Sequence, residues 1–372
     1  MNKYLSLKIK IISFIAIIMV VFLHCYNFQD NFLVSTTIIT EGLNIATYIE
    51  YFLCNGFTRV AVPTFFMISG YLFFLTFKCS LSGYFSKIKS RFLSLAVPYI
   101  IWTLISIGIC CLLWGVDIMT VNDMKANLEA GGLLQVFLSP PNFQFWFIIQ
   151  LIIYVIFSPV IYLLIKFKPT RIVYLLVLFC MWFMDNGIPS IGLISIVTEA
   201  IFFFSIGAYL AISNKKDMIL KEKEKNTVII TTAIWILILA VKTFMCATFS
   251  PDADTKIILV LYKLSIPIGI FSTWFGLDHI IKNEKFTKKV LSLAPHTFFI
   301  FCFHEPLLDF VIQYSIYNIS TSISFSLISY FVYPTITIIL AIIVSKILMK
   351  YVPVIHNILT GSRGTRKIEV VL

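Results

Sequence analysis

The stretch Ile9–Phe28 reads IKIISFIAIIMVVFLHCYNF, and it decides the fold of the chain. Apart from Lys10 at its start, it is apolar up to His24, and its ~20 residues would cross the ~30 Å hydrocarbon core of a bilayer as a helix. His24 would lie ~22 Å from the Lys10 end of this helix. An ionisable side chain at that depth has a desolvation cost that a leucine avoids. His24 is therefore either satisfied by a neighbouring helix or carbonyl, or is a buried proton acceptor.

The composition extends this interpretation to the whole chain. Of its 372 residues 59% are hydrophobic and 13% are charged, whereas soluble domains are about a quarter charged. The mean hydropathy is +0.94. We therefore predict an all-α polytopic membrane protein. The net charge of +11 does not indicate nucleic acid, because in a membrane protein the placement of charges matters more than their sum. The eight cysteines form no CxxC pair, which predicts packing residues and no metal site.

Apolar stretches predict about ten transmembrane helices in one integral-membrane domain, residues 1–372. The predicted spans are residues 9–28, 57–77, 92–114, 145–165, 172–184, 191–212, 227–247, 257–281, 291–312 and 327–349. If the N-terminus is cytoplasmic, most of the 29 Lys and Arg residues fall in inward-facing segments, and the outward loops carry mainly acids. This agrees with the positive-inside rule and predicts that both termini are cytoplasmic. The outward loops 29–56 and 115–144 are long enough to lie over the membrane as lids.

Further ionisable residues fall in the outer half of the predicted spans. They are Arg59, Glu199, Lys242, Lys263, His304, Glu305 and Asp309. They could be structural ion pairs near the interface, with the two lysines extending outward to water. Together with His24, they could instead line a polar chamber that opens outward, because such residues usually face a bundle interior or a wet cavity. We favour the chamber.

Basic residues also precede the third span. Lys87, Lys89 and Arg91 stand shortly before Pro98 and Tyr99. A basic cluster below a span can attract anionic lipid headgroups. It can equally cradle the phosphates of a cytoplasmic donor, because Arg and Lys form charge-assisted hydrogen bonds to phosphate oxygens.

Several of these stretches resemble one family. Arg59–Tyr71, which reads RVAVPTFFMISGY, is similar to the signature segment of the membrane-bound type 3 acyltransferases. The first span ending VVFLH at His24 resembles that family's first helix, and KIKSRFLSLAVPYIIW (Lys87–Trp102) resembles its basic loop and following helix. Later similarities are FWFI (Phe145–Ile148), Ser158-Pro159, FCFHEP (Phe301–Pro306) and LTGSR (Leu359–Arg363). The resemblance covers nearly the whole chain.

The resemblance implies transfer of an acyl group, usually acetyl, from cytoplasmic acyl-CoA to a hydroxyl of an envelope polysaccharide or lipid-linked glycan. It implies a multi-pass protein of a bacterial inner or plasma membrane, with acyl-CoA as donor substrate and no permanently bound cofactor. His24 would match the family's functional histidine, and Arg91 the first arginine of its RxxR element. Three family features are absent here. Ser13 and Ser94 stand where the family often has arginines, and Gln144 and Phe145 precede Trp146 where it often has a histidine.

These observations define the predicted site. We expect His24 to take the hydroxyl proton while Arg59 or another polar group steadies the acceptor or the oxyanion, with His304 and Glu305 as further catalytic candidates. Pro306 could open backbone groups of that helix toward the cavity. The predicted donor-binding residues are Lys10, Lys87, Lys89, Arg91 and Tyr99.

Two other functions remain open on the sequence. A transporter or flippase for a polysaccharide or its lipid-linked precursor would use the same polar chamber without acyl chemistry. A non-catalytic envelope protein on an acyltransferase-like scaffold would explain the absence of an arginine at Ser13. Binding of acyl-CoA distinguishes both from the enzyme.

Overall fold

The computed structural model describes residues 2–25, 45–116, 119–188, 195–248, 256–318 and 323–363. Within these ranges the protein is all-helical, without a strand, as the sequence predicts. The α-helices are α1 (Lys3–His24), α2 (Ile45–Cys54), α3 (Ala61–Phe74), α4 (Leu81–Arg91), α5 (Val97–Leu112), α6 (Met119–Leu138), α7 (Trp146–Ile156), α8 (Ser158–Lys166), α9 (Lys168–Phe183), α10 (Thr198–Ile212), α11 (Lys216–Leu220), α12 (Lys225–Thr248), α13 (Lys256–Ile281), α14 (Glu284–Leu293), α15 (Thr297–Asn318), α16 (Ile323–Tyr351) and α17 (Pro353–Thr360). Short 3₁₀ turns precede α3, α7 and α15, and a π-helical turn, Phe92–Ala96, joins α4 to α5.

Among the described residues, six helical segments are long and apolar enough to cross a membrane, so this is a multi-pass membrane protein. They are Lys3–His24, Ile45–Phe74, Leu81–Leu112, Lys225–Thr248, Lys256–Ile281 and Ser324–Tyr351. A seventh is reached if Thr120–Leu138 and Phe143–Ile156, which are bent by 59°, form one broken span. The count of ten and the cytoplasmic termini stay predictions.

The other predicted spans are short or interrupted, which explains the lower count. The predicted span 145–165 is divided between α7 and α8, with Pro159 at the start of α8. Helix α10 has 15 residues, or ~22 Å, less than a bilayer core. Helix α15 is interrupted at Glu305, which has φ −114° and ψ 142°. Part of the predicted lid 29–56 forms α2, and residues 26–44 lie outside the described ranges. The predicted lid 115–144 contains α6.

Helix α1 lies in the middle of the packing. It contacts α2, α3, α13, α14, α15 and α16. Lys8, directly before the first predicted span, is fully buried, and its Nζ lies 2.7 Å from Oδ1 of Asp278 on α13. The Tyr4 hydroxyl also donates to Asp278. The rings of Trp274 and Phe275 lie 4.9 and 5.0 Å from Lys8 Nζ. This buried ion pair fixes the N-terminal part of α1 against α13.

Helices α3 and α10 cross at very short range because each has a glycine at the crossing. A Cβ added to Gly70 would lie 2.0 Å from the carbonyl oxygen of Phe204, and one added to Gly207 would lie 2.0 Å from that of Met67. Small residues allow this close backbone approach, which is typical of helix pairs in membranes. The crossing holds α3, the helix that carries most of the signature segment, in place beside α1.

Gly207→Ala should therefore destabilise the protein by about 1–3 kcal/mol, since α3 and α10 must move apart. Gly108→Ala on α5 is the matched control, because a Cβ there meets nothing within 4 Å and alanine favours the helix. The measurement is the thermal unfolding midpoint of both variants in one detergent. Equal midpoints would contradict the tight crossing.

Candidate functional site

One cavity of ≈ 340 Å³ runs along a single face of α1. Six α1 residues line it. Five of them, Lys10, Ser13, Ile17, Val20 and His24, are spaced three or four apart and therefore share a helix face, and the sixth is Ile9 beside Lys10. From Lys10 to His24 this face is ~21 Å long. The remaining walls come mainly from α3, α7, α15 and the 3₁₀ turn before α15. Single residues are added by α4, the π-helical turn, the 3₁₀ turn before α7, α10 and the segment after α17. We call its two ends the basic end, at Lys10, and the histidine end, at His24.

Three ionisable side chains meet at the histidine end. Nδ1 of His24 lies 3.6 Å from Oε1 of Glu305, and both side chains are largely buried. The rings of His24 and His304 have centroids 5.1 Å apart. Of these three, only His24 is among the residues that line the cavity. The structure thus brings together three of the four predicted catalytic residues.

The hydrogen bonding of His304 defines the proton positions on its ring. Nδ1 of His304 lies 3.0 Å from the carbonyl oxygen of Ile300. A carbonyl can only accept, so Nδ1 carries the proton, and in the neutral ring Nε2 has a lone pair. Nε2 is buried without a hydrogen-bond partner among the described residues. His304 therefore presents an acceptor at the histidine end.

The break in α15 places His304 and Glu305 there. At the interrupted turn, the carbonyl oxygen of Glu305 accepts from two side chains that stand before α7. Asn142 Nδ2 donates to it at 2.8 Å and Gln144 Nε2 at 3.5 Å. Gln144 Nε2 also donates to the carbonyl of Phe301 at 3.1 Å. This freed carbonyl is bonded to neighbouring side chains, whereas the sequence led us to expect such groups to open toward the cavity. Sequence reasoning missed this role of Asn142 and Gln144. The feature that could have indicated it is the presence of two side-chain amides directly before an apolar helix.

His24, His304 and Glu305 are also residue types that bind metals. Their ligand atoms all lie within 4.8 Å of one another. Ligand atoms around a tetrahedral zinc ion lie closer, at ~3.4 Å, because the bonds are ~2.1 Å long. The 3.6 Å between Nδ1 of His24 and Oε1 of Glu305 is close to that value, and the 4.8 Å limit for the whole group is wider than it.

Arg59 lies near this cluster but not in the cavity wall. Its Nε donates to Oδ1 of Asn55 at 3.1 Å, and Nη2 makes a second bond to the same oxygen. The 3₁₀ turn that carries Arg59, Phe57–Val60, packs against α1. Arg59 is thus held beside the histidine end and does not line the cavity.

The remaining predicted polar residues belong to a separate group. Lys242 is fully buried and donates to the Asn55 carbonyl at 2.7 Å, so it does not extend to water. Glu199 accepts from the Trp182 indole at 2.9 Å. Lys263 is paired with Asp185 at 2.7 Å. The side chain of Asp309 lies outside the described part of the structure. Asn55 joins this group to Arg59, because it accepts from both Arg59 and Lys242. None of the residues of this group lines the cavity.

The basic end brings together cations from three parts of the chain. Lys10 of α1, Arg91 of α4 and Arg363 after α17 all line the cavity there. The Arg91 guanidinium lies 5.7 Å from the Phe73 ring and the Arg363 guanidinium 3.8 Å from the Phe298 ring. Sequence reasoning noted Arg363 only as part of the LTGSR segment and did not assign it to a site.

The other predicted donor-binding residues do not line the cavity. Lys87 donates to the Thr76 hydroxyl at 2.5 Å. Lys89 is exposed. The Tyr99 hydroxyl donates to the carbonyl of Phe137, and its ring is buried. Of the five predicted residues, the structure places Lys10 and Arg91 together.

Comparison with known proteins identifies the family. The acyltransferase 3 family, described as an acyltransferase domain, matches residues 8–350. The chain is 24% identical over 382 residues to the succinoglycan biosynthesis protein ExoH of Rhizobium meliloti (strain 1021), covering 99% of this chain and 95% of that protein. No solved structure matches the chain. The family match extends along almost the whole sequence, from the start of α1 to the end of α16, and the chain therefore belongs to the acyltransferase 3 family.

Proposed function

We propose that the protein transfers an acyl group, acetyl in the simplest case, from cytoplasmic acyl-CoA to a hydroxyl of a bacterial cell-envelope polysaccharide or lipid-linked glycan. The basic end faces the cytoplasm and receives the donor, and the acceptor reaches the histidine end from the other side of the inner membrane. A glycan acceptor is supported by the similarity to a succinoglycan biosynthesis protein. No metal or permanently bound cofactor is needed for this reaction.

The observation that carries this proposal is the continuous cavity between the two ends. Cations lie at one end and an imidazole beside a carboxylate at the other, with mainly apolar side chains between them. This arrangement fits a donor that has phosphates at one end and a thioester at the tip of a flexible arm. Gln144 and Phe301 line the cavity on the side of His304, and we take these large side chains to favour a short acyl group.

The chemical step uses His24 as general base. Its Nδ1 faces Glu305, which leaves Nε2 to take the proton of the acceptor hydroxyl. The hydroxyl oxygen attacks the thioester carbonyl, an ester C–O bond forms, and the C–S bond breaks. The imidazolium then returns its proton to the leaving thiolate. Glu305 holds the ring orientation and stabilises its positive charge, and the 3.6 Å separation is within what such pairs show before substrate binds.

The direct test is the base-labile acyl ester content of envelope glycans, measured by proton NMR in cells with and without the gene. Ester found only with the intact gene is the expected result. Purified protein in vesicles should also move radiolabel from acetyl-CoA to isolated glycan. Unchanged ester, together with a glycan precursor that accumulates in the deletion, would instead support an exporter or flippase.

A further inference from the structure

The C-terminal segment returns to the basic end of the cavity through a turn that requires glycine. Helix α17 ends at Thr360 and is followed by Gly361, which has φ 58° and ψ 37° in the left-handed region. A Cβ at Gly361 would lie 2.6 Å from the carbonyl oxygen of Ser94 in the π-helical turn. The turn therefore packs directly on the backbone between α4 and α5. Two residues later, Arg363 lines the cavity.

Buried polar contacts hold α17 in this position. The indole of Trp102 donates to the carbonyl oxygen of Leu359 at 3.0 Å. Nε2 of His356 lies 3.0 Å from the Ser345 hydroxyl, which lies 2.7 Å from Nδ1 of His296. These three side chains are buried and come from α17, α16 and the turn before α15. Arg363 is thus carried by a segment fixed to three other elements.

The cations at the basic end have no acidic partner in the part of the chain that the structure describes. No carboxylate lies within 4.0 Å of Lys10, Arg91 or Arg363 there. The two guanidiniums lie against rings on different walls, Phe73 of α3 and Phe298 of α15. Aromatic faces hold the planar groups in place without neutralising them. The positive charge of these residues is therefore available to bind an anion at the basic end of the cavity.

We propose that Arg363 is a donor-binding residue, whose guanidinium binds a phosphate of the acyl donor together with Arg91. The proposal rests on the proposed function, because it assigns the anion at the basic end to that donor. Arginine suits the task because its rigid fork can make two parallel hydrogen bonds to phosphate oxygens. Arg363 would then act on binding and not on the chemical step, which takes place ~21 Å away at the other end of α1.

The test compares two donors, acetyl-CoA and the phosphate-free acetyl-pantetheine, with protein in phosphatidylcholine vesicles. Arg363→Ala should raise KM for acetyl-CoA ~10–100-fold with kcat nearly unchanged, and should leave kcat/KM for acetyl-pantetheine unaltered. Arg363→Lys should fall between, because lysine keeps the charge and loses the fork. Arg171→Ala is the control, since its guanidinium donates to Ser213 outside the cavity wall.

Calorimetric titration with CoA gives a second reading that does not depend on turnover. Arg363→Ala should weaken CoA binding by the same factor. Equal losses with both donors would overturn the proposal and indicate that Arg363 binds a lipid phosphate or has a structural role. Unchanged KM and CoA affinity would also overturn it. Absence of acyl transfer and of CoA binding in the unmodified protein would instead refute the proposed function itself.

Discussion

His24→Ala is expected to lower the rate of acyl transfer about 10²–10⁴-fold, the usual contribution of general base catalysis. The side chain lines the cavity at the histidine end and faces Glu305 through Nδ1. Alanine removes the proton acceptor without disturbing the basic end, so KM for acetyl-CoA should change little. The measurement is the initial rate of label transfer from acetyl-CoA to glycan in vesicles with equal amounts of protein.

His279→Ala serves as the matched control for this variant. His279 lies near the other end of the bundle, 3.5 Å from Glu222, and does not line the cavity. Its loss should leave transfer unchanged. Near-normal acyl transfer by the His24→Ala variant would show that His24 is not the general base.

The second imidazole allows a sharper comparison. His304 offers a lone pair at Nε2 but lies outside the cavity wall. His304→Gln should therefore cost less activity than His24→Ala. If His304→Gln loses more acyl-transfer activity than His24→Ala, His304 and not His24 is the general base.

The largest expected effect on stability is that of Asp278→Ala, at about 3–5 kcal/mol. The change leaves the fully buried Lys8 ammonium without its counter-charge, and it also removes the acceptor of the Tyr4 hydroxyl. A buried unpaired charge is far more costly than the loss of the attraction itself. The measurement is the thermal unfolding midpoint in one detergent, together with the fraction of monodisperse protein.

The double variant Lys8→Met with Asp278→Leu separates this explanation from a general packing defect. It removes both charges, so most of the stability should return. Acyl transfer should also persist, because neither residue lines the cavity. Glu284→Ala is the control, since its pair with Lys288 is exposed and should contribute less than about 1 kcal/mol. A double variant as unstable as Asp278→Ala would contradict the account.

The family and the all-helical membrane class follow from local sequence, because apolar runs and contiguous motifs carry them. The number of spans does not follow, since a hydropathy window cannot detect that α15 breaks at Glu305 or that α7 ends before Ser158. Each break is followed within two residues by a proline, Pro306 after Glu305 and Pro159 after Phe157. Whether such a residue ends, kinks or divides a span depends on the neighbouring helices that satisfy the freed backbone groups.

Part of the site was predictable, because some of its residues are close together in the sequence or share one face of a helix. His24 and Lys10 share one face of a single helix, which the spacing alone indicates, and His304 and Glu305 are adjacent in sequence. Arg363 reaches the cavity only because α17 docks on Trp102 and Ser345, and these tertiary contacts leave no local signal. For Tyr99 the local sequence was misleading. Its position beside the basic loop suggested donor binding, but its hydroxyl donates to the backbone carbonyl of Phe137.

The ion pair between Lys8 and Asp278 also constrains how the protein is made. The two residues are ~270 positions apart, so synthesis at ~5–20 residues per second separates their appearance by ~14–54 s. Helix α1 therefore enters the bilayer long before α13 can neutralise its lysine. During that interval the ammonium has only water and lipid headgroups to solvate it, which keeps the start of α1 near the membrane surface. We therefore expect the first helix of the chain to reach its final depth only after α13 has been inserted.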